Sequence, residues 1–490
     1  MDRREFLSWA ARCGVGLAAA GAALPATADP IGVTLLRGVT VIDGTGARPR
    51  RNASVLIAGE RIVAIGAADL PVPPRARVLD RPGRYVIPGL WDMHVHGAAL
   101  ETIVPPLCLV NGVTGIREMW GFAPSTYELR DRVARGELLG PRMVVASPII
   151  DGPHSVLFGS VQVRTEAEAR AAVRDAAAAG ADFVKVYPFL DRTLLSAIAA
   201  ESRAVGLRFA GHASDRLSMA EASDLGQRSF EHLYGTTLAV SAREHEFRSR
   251  IDSLPLDPAD PFAWFAAVRE YERQATFSQS STKVAALAER LRRNGSWQSP
   301  TLVTMRVFSS PADTYAGDER MKYLPGFYEN YWAESIKKFA PVTPEQITQQ
   351  LEYFAARLRL VGQLHRHGAG VLLGTDAGNP YTFPGFSLHE ELALLVEAGL
   401  SPLAAIQAGS RDAARFLGMP DGGTVQPGRT ADLLVLDADP LRDIRNTTRI
   451  DTVVTRGRVL TKPDRERMLA DVERAAAETP DPPQEPRTCC

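Results

Sequence analysis

The chain has 490 residues, 45% of them hydrophobic and 23% charged, and a formal net charge of −1. That length accommodates a large catalytic domain with a smaller companion, and the composition is that of a soluble globular protein. The near balance of charge removes any electrostatic case for a nucleic-acid partner or an anionic membrane surface.

Residues 1–28 read as an address rather than as part of the fold. Asp2-Arg3-Arg4-Glu5-Phe6-Leu7 precedes an Ala/Gly-rich apolar stretch through Ala23, and Ala26-Thr27-Ala28 offers a small-x-small cleavage site. This is the pattern of a twin-arginine export signal cut after Ala28, which implies a periplasmic or secreted protein. The apolar run is short for a spanning helix, so no stable membrane anchor is expected. Of the four cysteines, Cys13 lies in this signal in a context that does not suit lipid attachment. Cys108 falls in an apolar helix-like stretch as a buried thiol, and Cys489 and Cys490 close a Pro-rich tail. No disulfide framework is legible.

Residues 31–85 alternate apolar and polar between turn signals, and a second such set surrounds Ala431–Asp437 and Asp451–Gly457. These predict short antiparallel strands, assembled from residues 29–86 and 424–462 into a small β-sandwich. Between them strand and helix signals alternate over residues 87–423, which predicts an α/β fold, a (β/α)8 TIM-like barrel. Eight barrel strands are proposed near Asp92–His96, Gly112–Arg117, Arg142–Pro148, Asp182–Val186, Arg208–His212, Arg228–His232, Ser296–Leu302 and Gly370–Thr375. Residues 241–290 and 307–345 are helix-like insertions rich in Phe, Trp and Tyr. They roof an active site, or else thicken the outer helical ring or form an oligomer contact. Residues 463–490 read as a charged helix followed by a Pro-rich disordered tail.

Six candidate metal ligands end short apolar runs: His94, His96, Lys185, His212, His232 and Asp376. Residues two apart on a strand face the same way, so His94 and His96 can hold one ion. A lone His-x-His is weak evidence. Lys185, however, sits inside Phe-Val-Lys-Val-Tyr, where an inward lysine would be an expensive buried charge. Strand ends that each deliver one ligand describe one mouth of a barrel. His365 and His367 form a second His-x-His, but at the end of a helix, where residues two apart do not share a side. His245 lies in a charged run and is read as solvated.

The motifs Pro-Gly-Leu-Trp-Asp-Met-His94-Val-His96, Asp182-Phe-Val-Lys185-Val-Tyr187, Gly211-His212, Glu231-His232, Gly374-Thr375-Asp376-Ala-Gly and Gly428-Arg-Thr-Ala-Asp432-Leu-Leu-Val-Leu-Asp437 together resemble the amidohydrolase superfamily. The resemblance is to the branch of imidazolonepropionase-like enzymes and Xaa-Pro-type dipeptidases and covers residues 33–462. It implies a centre of two divalent metal ions, Zn²⁺ as first choice, with Mn, Fe or Co compatible. His94, His96 and Asp376 would hold one ion and His212 and His232 the other. Lys185, carbamylated by CO₂, would bridge both, which turns a costly buried cation into an anion facing cations.

The implied chemistry is hydrolysis of an amide bond in a small-molecule substrate: a dipeptide, an Xaa-Pro-type peptide or an N-acyl amino acid. A hydroxide shared by the ions attacks, and Asp376 shuttles its proton to the leaving amine. Tyr187, two residues after Lys185, is a candidate to steady the oxyanion or a substrate carboxylate, with rim packing as the alternative. His154 follows strand three in Gly-Pro-His, where the family often carries Gly-Gly-His with substrate contact. Tyr234 is a third substrate-facing candidate, with loop packing favoured. His389 and Glu390 are read either as orienting Asp376 or as a cap or surface pair. The alternatives are opening of a lactam or lactone, hydrolysis of a bulky aryl amide, and a periplasmic binding protein without turnover. No Arg or Lys announces itself as a carboxylate clamp, and whether the chain forms a homo-oligomer is not legible.

Overall fold

The computed structural model describes residues 32–480 apart from Pro73, Ala123 and Phe158. The export-signal reading of residues 1–28 and the pair Cys489 and Cys490 lie outside the described residues.

The N-terminal segment forms strands β1 (Val33–Val41), β2 (Arg50–Ala58), β3 (Arg61–Ala67), β4 (Arg77–Asp80) and β5 (Tyr85–Pro88). The chain then gives β6 (Leu90–Val95), β7 (Val113–Glu118), β8 (Arg142–Val145), β9 (Ile150–Asp151), β10 (Val161–Gln162), β11 (Phe183–Val186), β12 (Arg208–Gly211), β13 (Ser229–Glu231), β14 (Trp297–Ser299) and β15 (Gly370–Val371). It ends with β16 (Leu433–Leu436), β17 (Ile450–Thr455) and β18 (Arg458–Leu460).

Strands from both ends of the chain share one sheet. β1 pairs with β2, β4 and β5, and β5 continues antiparallel to β16, which leads on to β17 and β18. The sequence points to a sandwich here. The hydrogen bonding is instead continuous through all eight strands, because β5 offers one edge to β1 and the other to β16. Alternation buries Leu36, Val55, Ile57, Val86, Leu433 and Val454 in a common core.

The barrel is parallel throughout. β6, β7 and β8 form one run, and β11 to β15 form another. Ser147 N donates to Phe183 O at 2.8 Å and joins the first run to the second, while Met93 N donates to Leu373 O at 2.8 Å and closes the ring. The strand at Gly370 is only two residues long, because residues 372 and 373 donate to Gln298 O and Ala408 O without forming a regular ladder. The strand at Ser296 stops early as well: Thr301, at φ +45, turns the chain into the helix Leu302–Phe308.

Helices form where caps and apolar spacing allow. Thr165 caps Glu166–Ala178 and Asp191 caps Arg192–Ala204, and the latter buries Leu194, Leu195 and Ile198 against the strands. Thr343 and Gln346 form a reciprocal cap that starts the long helix Pro344–Arg366. The 241–290 segment contains helices Glu244–Ser253 and Pro261–Thr276. The 307–345 segment contains Phe327–Lys337, whose Trp332 packs on Tyr381 and Phe383 just beyond Asp376. The terminal helix Lys462–Glu478 is strapped down by Arg465, which donates to Val110 O and Ile450 O.

Candidate metal centre

Strand ends at one mouth of the barrel carry the ligand candidates. His94 and His96 stand two apart at the end of β6, and both are buried. Asp376 follows β15 at φ +69, and its Oδ1 lies 3.2 Å from Nε2 of His94 and 3.2 Å from Nε2 of His96. One donor atom from each of these three residues falls within 4.8 Å of the others, a group that could hold a metal ion. His232 follows β13 at φ +62, with its Nδ1 3.7 Å from Asp376 Oδ2. Its ring centroid is 4.8 Å from that of His94 and 4.7 Å from that of His212. Left-handed backbone at His232 and Asp376 is a local cost, and such residues gather where geometry matters more than comfort.

Lys185 lies on β11 and is buried. Its positive charge helps to hold the imidazoles of His94, His212 and His232 in the neutral form, although burial is the larger cause in each. For His232 the pKa falls to about 3. Neutral imidazoles are the form that binds metal. Gly211, at φ +142, lets β12 approach this strand, since a Cβ there would lie 2.2 Å from Val186 O. His212 Nδ1 and His232 Nε2 are buried ring nitrogens without a hydrogen-bond partner among the described residues. Buried polar atoms are normally satisfied, so these two nitrogens on neighbouring rings fit a cation-binding role.

A polar layer under the site fixes these rings. Glu231 Oε2 lies 2.9 Å from His94 Nδ1, and Arg117 Nη2 holds both oxygens of that carboxylate at 3.0 and 3.1 Å. Ser229 is a third partner of the carboxylate, and all three partners are buried. On the other side, His232 Nδ1 lies 2.7 Å from the Thr301 hydroxyl. Asp92 accepts from Thr375 and from His94 N, while burial pushes its carboxyl up to about 7. Glu118 accepts from Ala98 N and Trp120 N, which shapes the loop after His96.

The substrate-facing candidates are placed unequally. Tyr187 is buried with its ring stacked on His212 at 4.0 Å. Tyr234 packs in a cluster with Phe189, Leu238 and Phe265, and its ring also sits 5.4 Å from His212 and 5.3 Å from His232, with the Arg269 guanidinium 4.3 Å over it. His154 is part-exposed at φ +68 in the loop between β9 and β10, and among the described residues no hydrogen bond or ring contact joins it to the ligand group. His389 and Glu390 do not orient Asp376. His389 is held by Thr447 and Asn111 O, and Glu390 pairs with Arg306 and Arg320. His365 is half-buried and His367 is exposed at a helix end, and His245 is exposed.

Sequence reasoning missed Arg117, Ser229 and Thr301, and gave Glu231 no role. The signal was present: a charged residue inside an apolar strand, which singled out Lys185, applies equally to Arg117 in Gly-Ile-Arg117-Glu. Arg269 was missed too. It lies on Pro261–Thr276 and pairs with Asp215, three residues after His212, and with Glu272 at 3.1 Å. Glu272 in turn accepts from Gly235 N, three residues after His232. One insertion helix thereby clamps the loops that follow two ligand candidates.

The sequence profile of the Amidohydrolase family matches residues 331–460. Imidazolonepropionase of Deinococcus deserti is 43% identical over 81 residues, which is 16% of this chain and 20% of that protein. The chain thus matches about a fifth of that relative's length. Among solved structures, bottromycin amidohydrolase aligns with a TM-score of 0.72 at 24% identity, over 93% of this chain and 95% of that one. A Xaa-Pro dipeptidase with bound methionine aligns with a TM-score of 0.63 at 20% identity, over 88% and 100%. Both structures share the fold. The chain thus carries the Amidohydrolase family's sequence profile over residues 331–460 and shares the fold of these structures over most of its length.

Proposed function

We propose that the chain is a metal-dependent hydrolase of an amide bond in a dipeptide or N-acyl amino acid. The observation that carries this reading is the gathering of His94, His96 and Asp376 donor atoms within 4.8 Å beside the two unsatisfied ring nitrogens of His212 and His232. The likeness in fold to a Xaa-Pro dipeptidase supports the choice of bond.

His94, His96 and Asp376 would hold one cation, and His212 and His232 a second. Neutral imidazoles with a carboxylate suit Zn²⁺. The Lys185 amine would add to CO₂ and lose a proton, giving an N-carboxylate between the two sets. This removes the cost of an ammonium buried among imidazoles. The ions, when bound, supply an acidified water and a polarised carbonyl. Asp376, whose carboxylate reaches the His94 and His96 rings, would take the water's proton and return it to the departing amine nitrogen. Glu231 holds His94 in one tautomer, and Thr301 fixes the orientation of the His232 ring. Tyr187 and Tyr234 flank the imidazole rings and would confine the substrate. The twin-arginine motif supports export of the chain already folded around its metals.

The test is metal analysis of the mature protein prepared with bicarbonate, combined with amino-acid release from a panel of dipeptides and N-acyl amino acids. About two metals per chain with turnover is the expected result. A chain that takes up no metal would overturn the reading.

A further inference from the structure

Three arginines lie close to the centre, Arg117 and Arg357 buried and Arg269 part-buried, and two of the three have carboxylate partners. Arg117 holds Glu231, and Arg269 holds Asp215 and Glu272. The third, Arg357 on the helix Pro344–Arg366, is 6% exposed. Its Nη2 donates to Tyr353 Oη at 2.7 Å, its Nη1 donates to Met305 Sδ at 3.2 Å, and its guanidinium lies 4.0 Å over the Tyr353 ring. Its Nε is buried without a partner, and among the described residues it makes no ion pair. A phenol and a thioether are poor compensation for a desolvated cation, whereas buried charges are ordinarily paired. Two of its five N–H groups are used, which leaves three for an anion.

The position of this guanidinium is tied to the centre. Met305 lies one helical turn beyond Thr301, the residue whose hydroxyl meets His232 Nδ1 at 2.7 Å. Asp215 and Glu272, the nearby acids, are engaged by Arg269.

We infer that Arg357 receives a carboxylate of the substrate, so that the class cleaved is a dipeptide with a free C-terminus or an N-acyl amino acid rather than a neutral lactam or aryl amide. The inference rests on the amide-hydrolase reading above. In such substrates the carboxylate stands one carbon from the scissile nitrogen, and a planar guanidinium fork matches it.

The test uses the metal-loaded full chain and a matched panel: dipeptides and N-acetyl amino acids, each as the free acid and as the C-terminal carboxamide. The acids should be preferred in kcat/KM by roughly 10-fold to 150-fold, the range of a hydrogen-bonded charge contact. In Arg357→Gln that preference should collapse through KM, and Arg357→Lys should restore part of it. Metal content and Tm of both variants are measured alongside. Equal use of acids and carboxamides by the wild type would overturn the inference, and so would a preference that survives in metal-loaded Arg357→Gln. If no panel member turns over, the hydrolase reading fails on its own account. Calorimetric binding of the same acids and carboxamides then decides the anchor: acid-selective binding lost in Arg357→Gln upholds it, and unselective binding overturns it.

Discussion

Glu231 Oε2 lies 2.9 Å from His94 Nδ1 inside the barrel, where neither side chain meets solvent. An ionised carboxylate only accepts, so Nδ1 carries the proton and Nε2 turns its lone pair toward Asp376. Glu231→Gln loses that control. Metal affinity should fall by roughly 10-fold to 100-fold. Competition with a calibrated chelator reads this directly, and an affinity within twofold of wild type would remove Glu231 from the metal site.

Asp376→Asn keeps the shape of the side chain and removes its basicity. Turnover should drop by about 10²-fold to 10⁴-fold, the usual weight of a positioned proton carrier. The measurement is kcat with metal content held equal. A variant that is fully metallated and fully active would show that the proton travels elsewhere.

Removal of the Lys185 amine should have two readouts. Lys185→Ala should bind fewer metal ions per chain than the wild type, and wild-type activity should depend on bicarbonate after the protein is stripped of metal and CO₂. Mass analysis of the intact native protein can detect the added carboxylate. Reconstitution that is indifferent to bicarbonate would argue for an unmodified lysine.

Arg269 ties the insertion helix to the loops after His212 and His232, with Asp215 and Glu272 both buried. Arg269→Met leaves two buried carboxylates without their cation. Breaking such a pair typically costs about 3–5 kcal/mol. Thermal unfolding of the metal-loaded variant should show a clear loss of Tm, and an unshifted transition would mean that the clamp carries no stability.

Glu391 provides a pH signature away from the ligands. Its carboxyl is buried, accepts from Val303 N, and is pushed up to about 8 from 4.5. A raised native pKa means that the folded chain binds this proton more tightly than the unfolded one. Stability therefore falls as pH rises from about 4.5 toward about 8, at up to roughly 1.4 kcal/mol per pH unit from this group. Glu391→Gln should flatten that slope. Urea midpoints at several pH values will show the two curves changing their separation between about pH 4.5 and about pH 8, and curves parallel across that window would refute the assignment.

The ligand candidates were legible because each is an odd residue at the end of an apolar run, the pattern of a strand that delivers one group to a barrel mouth. The composite sheet was legible only as a set of strands. Whether β5 splits two sheets or joins them depends on edge pairing between segments far apart in sequence, which no local pattern encodes. The shorter strand at Gly370 was missed for a similar reason: Leu372 and Leu373 look extended in sequence, but their hydrogen bonds go to two different neighbours. Arg269 and Arg357 were invisible because helical spacing shows which face a residue shares and not what the face meets. Tyr353 and Arg357, four apart on one helix, were the available hint.

The central place of β5 in the terminal sheet has a consequence for synthesis. Pro88 pairs with Leu433 and Tyr85 with Leu436, so the second edge of β5 stays open until almost the whole chain has emerged. Asp376 also arrives late. A nascent chain therefore carries the apolar edge Tyr85-Val86-Ile87 unprotected through most of translation, a template for wrong partners. Pairings this distant are slow to close. Yield of active protein should thus respond to a holding chaperone, and in the proposed reading metal capture would be a final step of folding rather than a seed for it.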